Sequence, residues 1–239
     1  MSDPRDALKR AAALRAVAEV EDGMVVGLGT GSTAGFVAEE LASRIARGLR
    51  IVGIPTSERT AALARRLGIP LAGFAEHQRL DLTIDGADEV ERGTLDLIKG
   101  LGGALLREKV VAAASRRLVI VVDREKLVNR LGEHSPVPVE VAQFGWQATA
   151  AALSRLGAAP RLRTVENSEP PGEPYVTDGG NYILDCAFGP IDDPAALERD
   201  IAMTVGVIES GLFIGRASAV VNASAAGVEV LKPTKGRAT

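Results

Sequence analysis

The sequence predicts an α/β protein: a doubly wound parallel sheet into which a smaller ferredoxin-like α+β unit is inserted. Three observations predict it. Short apolar runs at Met24–Leu28, Ile51–Ile54 and Leu118–Val122 have the character of strands buried on both faces. Stretches with helical apolar spacing separate them, which is the alternation of right-handed βαβ crossovers. Beyond Pro136 and Pro138 the pattern becomes β-α-β-β-α-β, the order of a split βαβ unit.

Taken in order, Asp3 reads as an N-cap and Pro4 as the first helical residue. Leu8, Ala11, Leu14 and Val17 then recur near helical spacing until Gly23. After the strand ending at Leu28, Ser32 or Thr33 caps a helix through Phe36, Val37, Leu41 and Ile45. Ile51–Ile54 is the second strand, and Ser57–Leu67 the second crossover helix, closed by Gly68. Leu80, Leu82 and Ile84 alternate into Asp85 as a third strand, and a helix over 104–115 leads to Leu118–Val122. In the second unit, 138–142 is a strand, 146–156 a helix and 160–163 a short strand. Tyr175–Thr177 and Tyr182–Cys186 flank Asp178-Gly-Gly-Asn181 as a hairpin. Asp193-Pro194 opens a helix to about Val205, and Val207–Phe213 forms the last strand. Ala219–Asn222 and Val228–Leu231 return to the first pattern. The expected domains are therefore 1–135 plus 208–239, with 136–207 inserted between them.

Composition narrows the function. With 46% hydrophobic and 25% charged residues, the chain has the make-up of a globular protein with enough core for one large or two small domains. Twenty-eight basic against 31 acidic side chains give a net charge of −3, so no global field favours nucleic acid. Aromatic residues, at 3%, supply no surface for stacking bases. The first twenty residues carry Asp3, Arg5, Asp6, Lys9, Arg10 and Arg15, the pattern of an amphipathic helix rather than a secretion signal. No apolar run approaches the ~20 residues that cross a bilayer, so no membrane partner is expected. The single Cys186 excludes an internal disulfide, fits a reducing cytoplasm and reads as an inert buried thiol. His77 and His134 stand apart among ordinary loop residues and suggest neither a metal site nor a triad. Phe144, Trp146 and Phe213 read as core or interface.

Two segments carry the chemistry. Gly27-Leu-Gly-Thr-Gly-Ser-Thr33 lies where a strand becomes a helix, so its backbone N–H groups suit an anion at a helix N-terminus. It matches neither a nucleotide P-loop nor G-x-G-x-x-G, and alone it could be a tight turn. Leu82-Thr-Ile-Asp85-Gly-Ala-Asp88-Glu89 ends a strand at the sheet edge where ligands bind in open α/β folds. Isolated, Asp85 would make an Asx-turn and Asp88 a helix cap. Lys99-Gly-Leu-Gly-Gly103 and Glu108 follow on the next segment, where glycines admit close backbone approach. Three carboxylates, an ammonium and a phosphate cradle suggest an enzyme acting on a small phosphorylated carbonyl compound.

At these residues the chain resembles the ribose-5-phosphate isomerases of the A type. The similarity runs nearly end to end: 27–33, 85–89, 99–109, 121–126, Thr177–Asn181 and Glu209–Phe213. It implies a Rossmann-like domain with a smaller α/β lid, and interconversion of ribose 5-phosphate and ribulose 5-phosphate without metal or other cofactor. A cytoplasmic homodimer or homotetramer is also implied. Carried over by position, Glu108 matches the general base, moving a proton between C1 and C2 through an enediolate. Lys99, with backbone N–H groups at 100–103, would stabilise the oxyanion. Asp85 and Asp88 would hold the sugar hydroxyls, relay a proton between O1 and O2 and assist ring opening. Thr30, Gly31, Ser32, Thr33, Lys126 and Lys9 match ligand contacts around the phosphate, and Gly86, Ala87, Gly100, Leu101 and Gly102 complete the substrate-binding set. One departure stands out: the family often reads Lys-Gly-Gly-Gly where this chain has Leu101, which would be strained if its φ were positive. Rival readings are a glucosamine-6-phosphate deaminase or a sugar-phosphate lactonase, which would share the phosphate loop but not the Lys99–Glu108 arrangement or the insertion. A sugar-phosphate sensor in a transcriptional regulator would need a DNA-binding module, for which residues 1–23 are too short.

Overall fold

The computed structural model describes residues 4–166 and 171–234, and the expected cap Asp3 lies outside them. Helix α1 (Pro4–Val17) leads to β1 (Val25–Leu28), α2 (Ser32–Ala46), β2 (Val52–Pro55), α3 (Glu58–Arg66) and β3 (Leu82–Asp85). Two short strands, β4 (Glu89–Glu91) and β5 (Leu97–Ile98), precede α4 (Leu105–Ala113), β6 (Leu118–Asp123) and β7 (Leu127–Val128). Next come β8 (Val137–Val141), α5 (Trp146–Arg155), β9 (Ala159–Leu162), β10 (Tyr182–Ala187), α6 (Pro194–Ala202) and β11 (Val207–Ser210). The described chain closes with β12 (Leu212–Phe213), β13 (Ala219–Ser224) and β14 (Gly227–Leu231).

The main sheet has the order β14-β13-β6-β3-β1-β2, parallel throughout except for the antiparallel edge strand β14. Its strands are apolar on both faces because both are covered. Val119 and Val121 of β6 face the layer of α1 and α2, among Ala13, Val17, Val37 and Leu41. The alternate residues Leu118, Ile120 and Val122 pack against Val90, Leu97 and Phe213 on the opposite face. Each such side chain contributes about 1.5–3 kcal/mol by leaving water. From β1 the chain moves outward to β2, then recrosses to β3 on the other side of β1. The loops after β1 and β3 therefore diverge, and the crevice between them is where ligands bind in this architecture.

The inserted sheet runs β11-β8-β10-β9 with every neighbouring pair antiparallel, as a split βαβ unit requires. Leu153 of α5 and Ile201 of α6 bury against Val139, Val141 and Leu184. A third sheet, β12-β5-β4-β7, links the two. Its strands of two or three residues are too short for any periodicity, and sequence reading does not anticipate it.

Several expectations are corrected. The first helix ends at Val17 rather than Gly23, because Glu19 and Val20 close tight turns onto Ala16 and Val17. Neither Ser32 nor Thr33 caps α2; Gly31 holds that place with no side-chain bond, whereas Ser57 does cap α3 by accepting from the Thr60 N–H. The turn at 177–181 forms, but Tyr175–Thr177 is no strand: the Tyr175 N–H donates to the Arg163 carbonyl, while β10 pairs with β8 and β9. The strand expected over Val207–Phe213 splits at Gly211, whose N–H donates to Pro138 and whose carbonyl accepts from Lys99. One half, β11, extends the inserted sheet to Ser210, past the expected boundary at 207, and the other joins the third sheet. Among the described residues, no helix is long and apolar enough to cross a membrane.

Candidate active site

A cavity of about 310 Å3 opens at the crevice between β1 and β3. Its walls include Lys9, Thr30–Thr33, Gly86–Asp88, Lys99, Gly100, Gly102, Glu108 and Lys126. Residues separated by more than a hundred positions thus converge, all but Lys9 delivered at or just beyond the end of an element. Lys9 comes from α1, Thr30–Thr33 from the start of α2, Asp88 from the loop after β3, Glu108 from the first turn of α4, and Lys126 from the turn after β6. Of the expected residues, Asp85 and Leu101 are not in the wall. Asp85 lies buried just behind it, and Leu101 is 42% exposed. Leu101 does not have a positive φ, so the departure from Lys-Gly-Gly-Gly brings no backbone strain; the left-handed positions in this loop are Gly100 and Gly103. Val121, Val122, Asp123 and Glu125 also line the cavity. Within 121–126, sequence reading assigned a role to Lys126 alone, because no motif or spacing sets these four residues apart.

The centre of the site is the Lys99 ammonium, only 2% exposed. It stands 3.0 Å from Asp85 Oδ2 and 3.5 Å from Glu108 Oε1, donates to the Gly86 carbonyl at 2.5 Å, and lies 5.5 Å from the Phe213 ring. Burial works against its charge, but Asp85 and then Glu108 more than compensate and raise its pKa. Glu108 is pushed up to about 8, first by burial and then by Asp85 and Asp88, with Lys99 opposing. Its second oxygen, Oε2, is buried and has no hydrogen-bond partner among the described residues. A carboxyl so placed can exchange a proton near neutral pH and has a free atom with which to do it.

Asp85 and Asp88 are held differently. Asp85 Oδ1 accepts from the Thr30 N–H at 3.1 Å and the Gly86 N–H at 2.8 Å, while Oδ2 faces Lys99. Both oxygens are thereby engaged within the protein. Gly29 makes this possible, since a Cβ there would stand 2.2 Å from Asp85 Oδ1. Asp88 uses Oδ2 to accept from the Leu101 N–H at 2.9 Å, and it lines the cavity. The Thr30 hydroxyl is also engaged, lying 2.8 Å from those of both Thr56 and Ser57 and 3.1 Å from that of Thr60. At the other end, α2 begins at Ser32 with no side chain among the described residues capping it, so its first N–H groups can meet an anion beside Lys9 and Lys126.

Comparison with known proteins decides the family. A family model described as ribose 5-phosphate isomerase A (phosphoriboisomerase A) matches residues 52–227. The chain belongs to the ribose 5-phosphate isomerase A family. A ribose-5-phosphate isomerase A of Gloeobacter violaceus is 64% identical over 96% of this chain and 97% of its own length. Another, from Gluconobacter oxydans, is 54% identical over 94% and 96%. Among solved structures, ribose 5-phosphate isomerase A of Methanocaldococcus jannaschii superposes with a TM-score of 0.90 at 42% identity, covering 95% of this chain and 99% of that one. A D-ribose-5-phosphate isomerase in complex with phospho-erythronic acid gives 0.91 at 39% identity, over 95% and 98%. The chain is accordingly an aldose-ketose isomerase that interconverts ribose 5-phosphate and ribulose 5-phosphate in the pentose phosphate pathway. The deaminase, lactonase and sensor readings fall away. As an isomerase A, it shares its fold with those relatives, a Rossmann-like domain with an α/β lid.

Proposed function

We propose that Glu108 is the base of the isomerisation and that Lys99 carries the charge that develops on the substrate oxygens. The observation that supports this most is the pairing itself: one Glu108 oxygen faces the Lys99 ammonium, and the other is buried and unpartnered in the wall of the cavity. With the open-chain aldose bound, the Glu108 carboxylate removes the C2 proton as the carbonyl oxygen on C1 gathers negative charge. The Lys99 ammonium then lies beside the enediolate, in a site dry enough for that attraction to be strong. The acid formed on Glu108 returns the proton to C1, completing the ketose. Asp88, whose other oxygen has no partner among the described residues, holds the sugar hydroxyls and passes a proton between O1 and O2. Asp85, with both oxygens occupied, instead orients Lys99 and ties it to the phosphate loop through the Thr30 N–H.

The phosphate sits at the open start of α2, on the N–H groups near Gly31–Thr33, with Lys9 and Lys126 supplying charge. The phospho-erythronic acid bound by a relative supports a phosphorylated polyol carboxylate as a ligand of this cavity too. Because Lys99 supplies the positive charge, turnover should not respond to EDTA. We also infer a cytoplasmic homodimer or homotetramer in which the inserted unit serves as lid and contact surface. Phe144, Met203 and Val205, all strongly exposed on that unit, support a covered face there. The deciding experiment is a coupled assay of Glu108→Gln with ribose 5-phosphate. Turnover should be lost with substrate binding retained; wild-type turnover would remove Glu108 as base.

A further inference from the structure

The loop Lys99–Gly103 is held from outside by the inserted unit, and the chief contact is Arg163, at the end of β9. Its guanidinium pairs with both oxygens of Asp185 on β10, Nε donating to Oδ2 at 3.0 Å. The remaining nitrogen, Nη1, donates to two successive carbonyls of the loop, Gly100 at 2.9 Å and Leu101 at 3.1 Å. Tyr175 of the same unit closes over Gly103, where a Cβ would come within 2.2 Å of its hydroxyl. We infer that Arg163 is a positioning residue for the isomerisation: by fixing those two carbonyls it aims the intervening peptides at the cavity beside Lys99.

The geometry follows from peptide planarity, which sets each N–H opposite its carbonyl. In the 100–101 peptide, the carbonyl is held by Arg163 and the N–H by Asp88 Oδ2, so that unit is fixed at both ends. In the 101–102 peptide, Arg163 holds the carbonyl and the Gly102 N–H points away from it. Gly102 lines the cavity, and its N–H has no acceptor among the described residues. A free donor beside an ammonium is what an enediolate oxygen requires. The guanidinium also draws electron density from both carbonyls and so strengthens the N–H groups as donors. Gly100 has a φ of +106° and Gly103 of +82°, conformations that glycine visits without holding, so the loop depends on outside contacts for a single shape. The Asp185 pair keeps the guanidinium plane in the one orientation that reaches both carbonyls.

The inference rests on the role given above to this loop, and its test separates the two. For Arg163→Met, kcat should fall about 10–100-fold while KM for ribose 5-phosphate stays within about threefold. Affinity for phospho-erythronate, whose planar carboxylate imitates the enediolate, should fall in parallel with kcat. Affinity for inorganic phosphate should not change. Wild-type kcat in the folded variant would overturn the inference, as would parallel loss of phosphate affinity, the mark of general disorder. If Arg163→Met does not fold, Arg163→Gln is read by the same criteria, and failure of both to fold would assign Arg163 to stability and overturn the inference as well. Glu108→Gln serves as the control: its activity tests the base, whatever Arg163 does.

Discussion

The Glu108 carboxyl lies in the first turn of α4, where the helix dipole favours a carboxylate, yet its pKa stands at about 8. The dipole is worth about 0.3–1 kcal/mol, whereas stripping water from a carboxylate costs several. Burial therefore wins, and Asp85 and Asp88 reinforce it against Lys99. The sign of the pH dependence follows. Below about 8 the free enzyme holds Glu108 mainly as the acid, which cannot take a proton. kcat/KM should consequently rise with pH through that value, measured above pH 7 to stay clear of the substrate phosphate's ionisation near about 6. A profile already flat at pH 7 would contradict it. Stability should move the opposite way. A pKa raised on folding favours the protein below the unfolded value, and that benefit is lost as pH rises through the folded one. Wild-type Tm should therefore drop relative to Glu108→Gln between pH 6 and 9. In the sequence Glu108 stands out only by its company, the glycine-rich entry after Lys99, and its role as base only by resemblance, since burial, which makes a helical glutamate useful, leaves no local mark.

At the scale of elements, the loop from β1 into α2 and the end of β3 form one device. Thr30 gives its N–H to Asp85 and its hydroxyl to a cluster with Thr56, Ser57 and Thr60, so the loop is locked to both neighbouring strands. Gly29→Ala should break that lock, because the new methyl would meet the Asp85 carboxylate at 2.2 Å. The expected result is a destabilisation of about 1–3 kcal/mol and a fall in kcat, read by urea denaturation and the coupled assay. Lys126→Ala, at the phosphate end, should act otherwise: KM rises and kcat holds, and a fall in kcat alone would remove Lys126 from the phosphate site. The glycine loop was legible because strand, turn and helix start are adjacent in sequence. What stayed hidden were partner choices made across the fold. Nothing near Asp85 or Asp88 says that one has both oxygens engaged and the other, among the described residues, only one. Nothing near Arg163 announces carbonyls some sixty positions earlier, and strands of two residues carry no period to read.

Across the whole molecule, buried charges join the sheets. Lys109, next in sequence to the candidate base, bonds Glu198 of α6 and Glu209 of β11, and its ammonium lies 5.0 Å from the Phe213 ring whose other near cation is Lys99. Glu89 of β4 makes the second joint. Its position in Asp-Gly-Ala-Asp-Glu suggests chemistry, yet it lies outside the cavity wall, buried in the third sheet. One oxygen accepts from the Gly132 N–H at 2.6 Å, and the other from the N–H groups of His134 at 2.7 Å and Ser135 at 2.6 Å. Those amides belong to the segment that carries the chain into β8, so Glu89 sets where the inserted unit departs. Glu89→Gln keeps the shape but turns one acceptor oxygen into a donor facing a donor. The loss of a charged bond and the stranded N–H should cost about 2–4 kcal/mol, read as a lower urea midpoint with unchanged slope. Hydrogen exchange at Gly132, His134 and Ser135 should quicken more than in the main sheet, since the joint is released before the core. Because the Arg163 contact is reached through this joint, kcat should fall as well, by less than in Arg163→Met. A variant with wild-type stability and exchange would show that the segment into β8 is held by other bonds.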